Sequence, residues 1–299
     1  MTLVGSYVAI SKPLVAALPV FLLAWIRFGI GILAMPDWLK TPPDERPMNA
    51  VTRKLIFLES FFGNFLFTIC MLFGISMTSA LAAGVIMASI PAVIAVLSWF
   101  FLSEKINLRV GLAIFFVALG NLLFMFSSTT RAMHSGMESA GIRTYENAVW
   151  GNLLIFGAVV CEATYAVIGK KLTASLSPKR ITALINLWGF ALMTPMGLYA
   201  AWTFEFAGVA SNIWLLLIFY ALAASVGSVW LWMTGLKNIA ASKAGIFTVM
   251  LPISTASVGV LFLDETLSLI QCVSFGVCLM GLVVGAYTPD KAIIETSRK

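Results

Sequence analysis

Apolar residues gather into ten long runs with short polar breaks between them. The runs cover roughly residues 2–17, 18–35, 55–77, 80–102, 108–126, 148–169, 181–203, 213–236, 244–263 and 269–287. A bilayer span needs about 20 mostly apolar residues. The pattern therefore predicts an all-α membrane protein of ten transmembrane helices. The one long polar connection is 127–147. The other connections are short, which suits a tight bundle of antiparallel neighbours.

Composition sharpens this. Hydrophobic residues make up 60% of the 299 positions and charged residues 11%, under half the roughly 25% of a soluble domain. Mean hydropathy is +0.97. A soluble domain of this size could not hide so much apolar surface. A secreted protein, a soluble enzyme, a coiled coil and a disordered tail are all excluded on that ground.

The net charge of +6 would point to nucleic acid in a soluble chain. Here the basic residues are spread over short loops, so no nucleic-acid partner is expected and the excess reads as an orientation signal. With an even number of spans and an inside N-terminus, fifteen of the 19 Lys and Arg residues fall on inside loops. Only Arg131 and Arg143 fall outside, while Lys12 and Arg27 lie within the first two spans. That asymmetry follows the positive-inside rule and predicts both termini in the cytoplasm.

No cleavable signal peptide is evident. Cys70, Cys161, Cys272 and Cys278 all lie in apolar runs without a CxxC pattern, and His134 stands alone in the polar stretch. No metal and no cofactor are expected. No Walker A motif, Gly-rich nucleotide loop or Ser-His-Asp set appears. A membrane transferase would need an interfacial His, Asp or Glu cluster, which the chain does not offer, so no enzymatic activity is expected.

The strongest organisational signal is an internal repeat. Gly84-Val85-Ile86-Met87-Ala88-Ser89-Ile90-Pro91 lies thirteen residues before Glu104, and Gly245-Ile246-Phe247-Thr248-Val249-Met250-Leu251-Pro252 lies thirteen before Glu265. The offset of 161 also relates Gly74 to Gly235, Ala80 to Ala241 and Gly120 to Gly281. Near the starts of the halves, residues 6–12 resemble 164–170 at an offset of 158. Five spans in each half make the second insert upside down relative to the first. Inverted repeats of this kind build secondary transporters with a midplane substrate site.

These features resemble the EamA-like branch of the drug/metabolite transporter superfamily. The marks are Gly5-Ser6-Tyr7-Val8-Ala9-Ile10-Ser11-Lys12, Trp25-Ile26-Arg27-Phe28, and the two Gly-x6-Pro-x12-Glu runs ending at Glu104 and Glu265. The resemblance implies a five-plus-five inverted repeat, here 1–126 and 148–287, flanking an extracytoplasmic loop at 127–147 and a cytoplasmic tail at 288–299. It implies export or exchange of small metabolites such as amino acids across a bacterial inner membrane, without ATP. A drug or nucleotide-sugar carrier is the alternative within transport; an integral-membrane transferase or a non-transporting scaffold is the alternative outside it. The chain departs from the family at its start: only Met1 to Val4 precede Gly5, and Pro13 interrupts the first run. Either that helix is thin and tilted, or the true start lies upstream.

Ionisable groups inside a bilayer are expensive and point to function by default. Arg27 falls mid-span, where it could attract a substrate carboxylate or a Glu partner. Glu162 is the best candidate for a coupling proton, since a carboxyl taken out of water can load and release one; a plain ion pair with Arg27 is the alternative. Lys12 and Glu59 read as structural, each able to reach the interface. Pro91 and Pro252 should break their helices and expose backbone polar groups. Glu104 and Glu265 sit at span ends as gate or cap groups, the cap being better supported. The resemblance places the family's cavity among the third, fourth, eighth and ninth spans. Asn64, Thr68, Ser225, Ser228 and Thr248 are the candidate polar groups there, with Met87 and Trp232 as apolar ones. Ser60, Asn64 and Thr68 share one helical face by spacing. The expected partners are a small-molecule substrate, a proton and the lipid bilayer.

Overall fold

The structure is a computed structural model. It describes residues 2–43, 45, 47–102, 111–112, 115–116, 119–120, 123, 138–238, 250–262 and 268–286. The described residues contain helices and no strand. The fifth predicted run, 108–126, falls largely outside them, as do His134 and the predicted tail.

The first half opens with α1 (Thr2–Ala17) and α2 (Val20–Ala34), joined at Leu18-Pro19. A short 3-10 turn, Pro36–Leu39, follows. Then comes α3 (Ala50–Ser60), which starts on the Asn49 side chain accepting a hydrogen bond from Thr52 N. It runs through a π-helical turn, Phe61–Leu66, into α4 (Phe67–Met77). The fourth predicted run is two helices, α5 (Ala80–Met87) and α6 (Ile90–Leu102). The break has a clear cause. Pro91 has no N–H to give the Met87 carbonyl, and the Ser89 hydroxyl turns back to donate to Ile86 O at 2.5 Å.

In the second half α7 (Glu138–Leu172) begins well inside the polar stretch read as a loop, so residues 138–147 are already helical. It is followed by α8 (Pro178–Thr203), capped at its start by Ser177. Next come α9 (Ser211–Ala221), a second π-helical turn (Leu222–Gly227) and α10 (Ser228–Asn238). Finally there are α11 (Met250–Phe262) and α12 (Leu269–Ala286).

Among the described residues, four stretches are long and apolar enough to cross a membrane: Ala50–Met77, Asn147–Leu172, Pro178–Thr203 and Ser211–Lys237. The remaining apolar helices are shorter. At 1.5 Å per residue, the 16 residues of α1 extend about 24 Å, less than the roughly 30 Å hydrocarbon core.

The outer faces confirm the membrane reading. Leu33, Leu215, Leu261, Phe262 and Leu269 are exposed, and Trp202 is 92% exposed. Soluble monomers rarely expose so many large apolar side chains. Inside, α1 packs on α11, α2 on α8 and α4 on α7. Small residues permit the close crossings. Thr255 on α11 donates to Gly5 O on α1 at 3.0 Å. Gly74 on α4 faces Gly151 on α7, and a Cβ at Gly151 would meet Gly74 O at 3.0 Å.

Candidate functional site

A cavity of about 30 Å³ lies where α1, α2, the first π turn, α7, the second π turn and α10 converge. Most of its wall falls into pairs related by the two repeat offsets. Val4 stands opposite Glu162 and Tyr7 opposite Tyr165, each at the 158 offset; Gly63 pairs with Ala224 and Phe67 with Ser228, each at 161. Arg27, Asn64, Val229 and Trp232 complete it.

The two π turns obey the same spacing: Phe61–Leu66 shifted by 161 is Leu222–Gly227. A π turn holds one residue more than the α-helix it interrupts, leaves backbone groups to be satisfied from outside, and is common at functional sites. An outside partner meets a backbone carbonyl of the second turn, while at the first the side chains reach out to α8 instead. Ser60 Oγ and Asn64 Nδ2 donate to Ile185 O on α8 at 2.6 and 2.8 Å. Asn186 Nδ2, the next residue on α8, donates to Ser225 O at 2.8 Å. So α8 bonds to both turns through adjacent residues. Gly63 is needed for space, because a side chain there would run into the Tyr165 ring.

Arg27 is 4% exposed. Its Nη2 donates to Thr68 Oγ1 at 2.8 Å. Its guanidinium lies 4.2 Å from the Phe28 ring centroid and 5.8 Å from that of Tyr220, a setting that favours a cation by the ring quadrupoles. Its Nε has no hydrogen-bond partner. Glu162 faces the same cavity. No ion pair joins the two among the described residues.

Of the sequence-derived candidates, Arg27, Asn64, Glu162, Ser228 and Trp232 meet at this cavity. Ser228 Oγ spends its proton on Ala224 O at 3.0 Å, leaving its lone pairs free to accept. Thr68 sits one layer back, on Arg27. Ser225 is buried within the second π turn with its Oγ unpartnered. Met87 is 1% exposed within the apolar core and does not reach the cavity. Trp230 packs on Trp38, with the ring centroids 6.0 Å apart. Pro91 lies at an observed helix break. Pro252 stands in the first turn of α11. Thr248, Glu104 and Glu265 lie outside the described residues.

The cavity's elements differ in part from those expected. The third and eighth runs supply part of the wall as expected; the first, second and sixth join them, and no described residue of the fourth or ninth lines it. The residues missed were Tyr7 and Tyr165. Their signal was in the repeat itself, where Ser6-Tyr7 aligns with Thr164-Tyr165. Glu59 was misread. It is 0% exposed and points inward, with no route to the interface.

At the end of the bundle where α3 and α8 begin, a second polar group is buried. Arg180 Nε lies 3.4 Å from Glu45 Oε1, and Arg180 also donates to Leu39 O and to Thr41 Oγ1. These bonds fasten the connection between α2 and α3 onto the start of α8. Nearer the surface, the Lys40 ammonium, 2.6 Å away, holds the Asp37 carboxyl below the usual carboxylate range.

Comparison with known proteins covers almost the whole chain. The chain is 30% identical over 288 residues, spanning 95% of its own length and 83% of the other, to a protein named uncharacterized transporter YetK from Bacillus subtilis (strain 168). It is 27% identical over 240 residues, 78% and 73% of the two lengths, to uncharacterized transporter YyaM of the same organism. A solved structure titled only as the crystal structure of a protein superposes with a TM-score of 0.63 over 95% of this chain and 93% of that one, at 17% identity. That likeness concerns the fold alone. The model of the EamA-like transporter family matches residues 1–126 and 149–286, taking in every residue of the cavity wall, and the chain belongs to that family.

Proposed function

We propose that this protein is a secondary-active carrier that exports or exchanges small metabolites, such as amino acids, across a bacterial inner membrane. The carrier is ten helices in a five-plus-five inverted repeat, divided as 1–126, 127–147, 148–287 and 288–299, with both termini in the cytoplasm. The observation that carries this reading is the paired cavity wall. A site built from equivalent positions of two halves is what alternating access around a fixed site requires. The unlike members of the pairs, Val4 against Glu162 and Phe67 against Ser228, give it chemical character.

The cavity's size fits a closed state. About 30 Å³ is an order of magnitude below the few hundred Å³ of an ordinary ligand pocket. It holds a water or two, so a metabolite enters only when the halves move. Arg27 supplies a buried positive charge for a substrate carboxylate, and Glu162 a site for the coupling proton. Tyr7, Tyr165 and Trp232 supply apolar faces with polar tips for the rest of the solute.

The test is uptake and counter-exchange in proteoliposomes against a panel of amino acids and other small metabolites, with and without a pH gradient. Arg27→Ala should leave folded protein in the membrane and weaken carboxylate substrates at least tenfold more than uncharged ones. Glu162→Gln should lose pH-driven accumulation and keep exchange. Wild-type vesicles that move no member of the panel under any gradient, or variants indistinguishable from wild type, would reject this reading.

A further inference from the structure

Behind the cavity lies a carboxyl group that the site described so far does not use. Glu59 ends its helix just before the first π turn. It is fully buried, and neither of its oxygens has a hydrogen-bond partner among the described residues. It rests against α7, where a Cβ at Gly169 would be 2.8 Å from Glu59 Oε1 and 3.1 Å from Met233 Cε. Gly169 stands one helical turn beyond Tyr165 and two beyond Glu162, so the three positions share a face. Tyr165 and Glu162 open onto the cavity. Both lie within electrostatic reach of Glu59. The Tyr165 hydroxyl and Trp232 Nε1 are likewise buried and unpartnered.

A carboxylate does not stay buried, charged and alone, since its desolvation is costly and no partner among the described residues offsets it. Each unsatisfied buried group calls for an explanation, such as a missing ligand or a catalytic role. The groups facing Glu59 narrow the choice. From α7 come Glu162, Tyr165 and Gly169, and from α10 comes Met233. The cations of α8 nearest its start, Lys179 and Arg180, are engaged elsewhere, with Trp38 and with Glu45, Leu39 and Thr41. No counter-ion reaches Glu59 among the described residues. A metal cation would need a fuller shell of ligands, and among the described residues no group of three His, Cys, Asp or Glu side chains could hold one.

We propose that Glu59 is a proton-carrying site set behind the cavity wall, loaded from the cavity past Glu162 and Tyr165. This rests on the carrier reading and deepens it by naming where the coupling proton resides. The step is a simple one. A proton leaves cavity water or the Glu162 carboxyl and binds one Glu59 oxygen, whose charge falls from minus one to zero. It leaves by the same oxygen when the halves move and the carboxyl meets water. A proton on Glu59 removes the repulsion between the two carboxyls, so that Glu162 loads and releases its own proton towards the cavity.

The test needs no substrate. Wild-type protein in lipid is titrated between about pH 5 and pH 9 and followed by infrared difference spectroscopy in the protonated-carboxyl region. The expected result is a buried-carboxyl band that Glu59→Gln removes, Glu162→Gln retains, and Tyr165→Phe displaces. A band that survives Glu59→Gln, one that vanishes in Glu162→Gln, or one driven by added sodium at constant pH overturns the proposal. Should Glu59→Gln fail to reach the membrane, the Glu162→Gln and Tyr165→Phe spectra still decide it. In vesicles, Glu59→Gln should cut pH-driven accumulation of any transported amino acid at least tenfold while exchange persists; unchanged pH-driven accumulation also overturns it. If the wild type moves nothing from the panel while the band behaves as expected, the carrier reading fails and the protonation site stands.

Discussion

A guanidinium in the middle of a span costs about 2.5 kcal/mol or more, and Arg27 meets that cost with few partners. Its guanidinium donates to the Thr68 hydroxyl at 2.8 Å and lies against the Phe28 and Tyr220 rings. Thr68→Val keeps the shape and removes the acceptor. It should lower stability by about 1–3 kcal/mol, the usual cost of orphaning a buried charged donor, read as a drop in the melting temperature of the detergent-solubilised protein. Transport of carboxylate solutes should weaken in the same variant, because the arginine loses its anchor. Charges were the most legible residues in the sequence. Arg27 and Glu162 stand out in apolar runs, and both face the cavity. Glu59 was misjudged because its distance from the loop was counted along the chain. Burial depends on which neighbour a helix turns towards, here Gly169 of a helix more than a hundred residues later.

Element positions were also legible, with α1 matching its predicted run and α8 extending it by three residues. The break between α5 and α6 could be read from Pro91. The π turns could not. A slip in hydrogen-bond register leaves no composition or period behind it, and Phe61–Leu66 reads as ordinary apolar helix. The surplus residue offers a test. Deleting Ala223 should let Leu222–Gly227 relax to α geometry with the flanking faces kept. The variant should still insert and fold, as judged by size-exclusion profile, yet lose transport because Ala224 and Ser228 leave their places in the wall. The contact between Arg180 and Glu45 is a different kind of element-scale tie. Removing one partner of a buried ion pair costs about 3–5 kcal/mol. Arg180→Ala should therefore destabilise strongly and expose the 36–49 connection to protease. The Arg180→Ala, Glu45→Ala double variant should recover part of the loss in thermal unfolding.

At the scale of the whole molecule, composition and the spread of lysine and arginine predicted a membrane protein of paired halves. On the proposed topology a reporter fused after Tyr287 should read cytoplasmic, and one inserted within 135–139 should read external; the opposite at either point would remove the ten-span arrangement. The cavity's location was not legible. The runs expected to enclose it contribute only in part, since α5 with Met87 is packed into the core. Which helices surround a hollow is decided by pairwise packing over long sequence separations, such as α1 on α11 and α4 on α7. Small-residue crossings at Gly5, Gly74 and Gly151 set those approaches, and single glycines in an apolar run do not name their partners.

The matched π turns carry one more implication. A helix bends most cheaply where its ladder is already interrupted, and here both interruptions lie at the same register of their halves. On the inverted reading, a bend opening the molecule to one side is the same deformation that, applied to the other half, opens it to the opposite side. The scaffold then contributes almost nothing to the difference in energy between the two facings. That difference falls to the handful of positions where the halves disagree, Val4 against Glu162 and Phe67 against Ser228 among them. Such a device has no built-in forward direction. It runs downhill whichever way the gradients point, and evolution can reverse or rebalance it by exchanging a few side chains without rebuilding a helix.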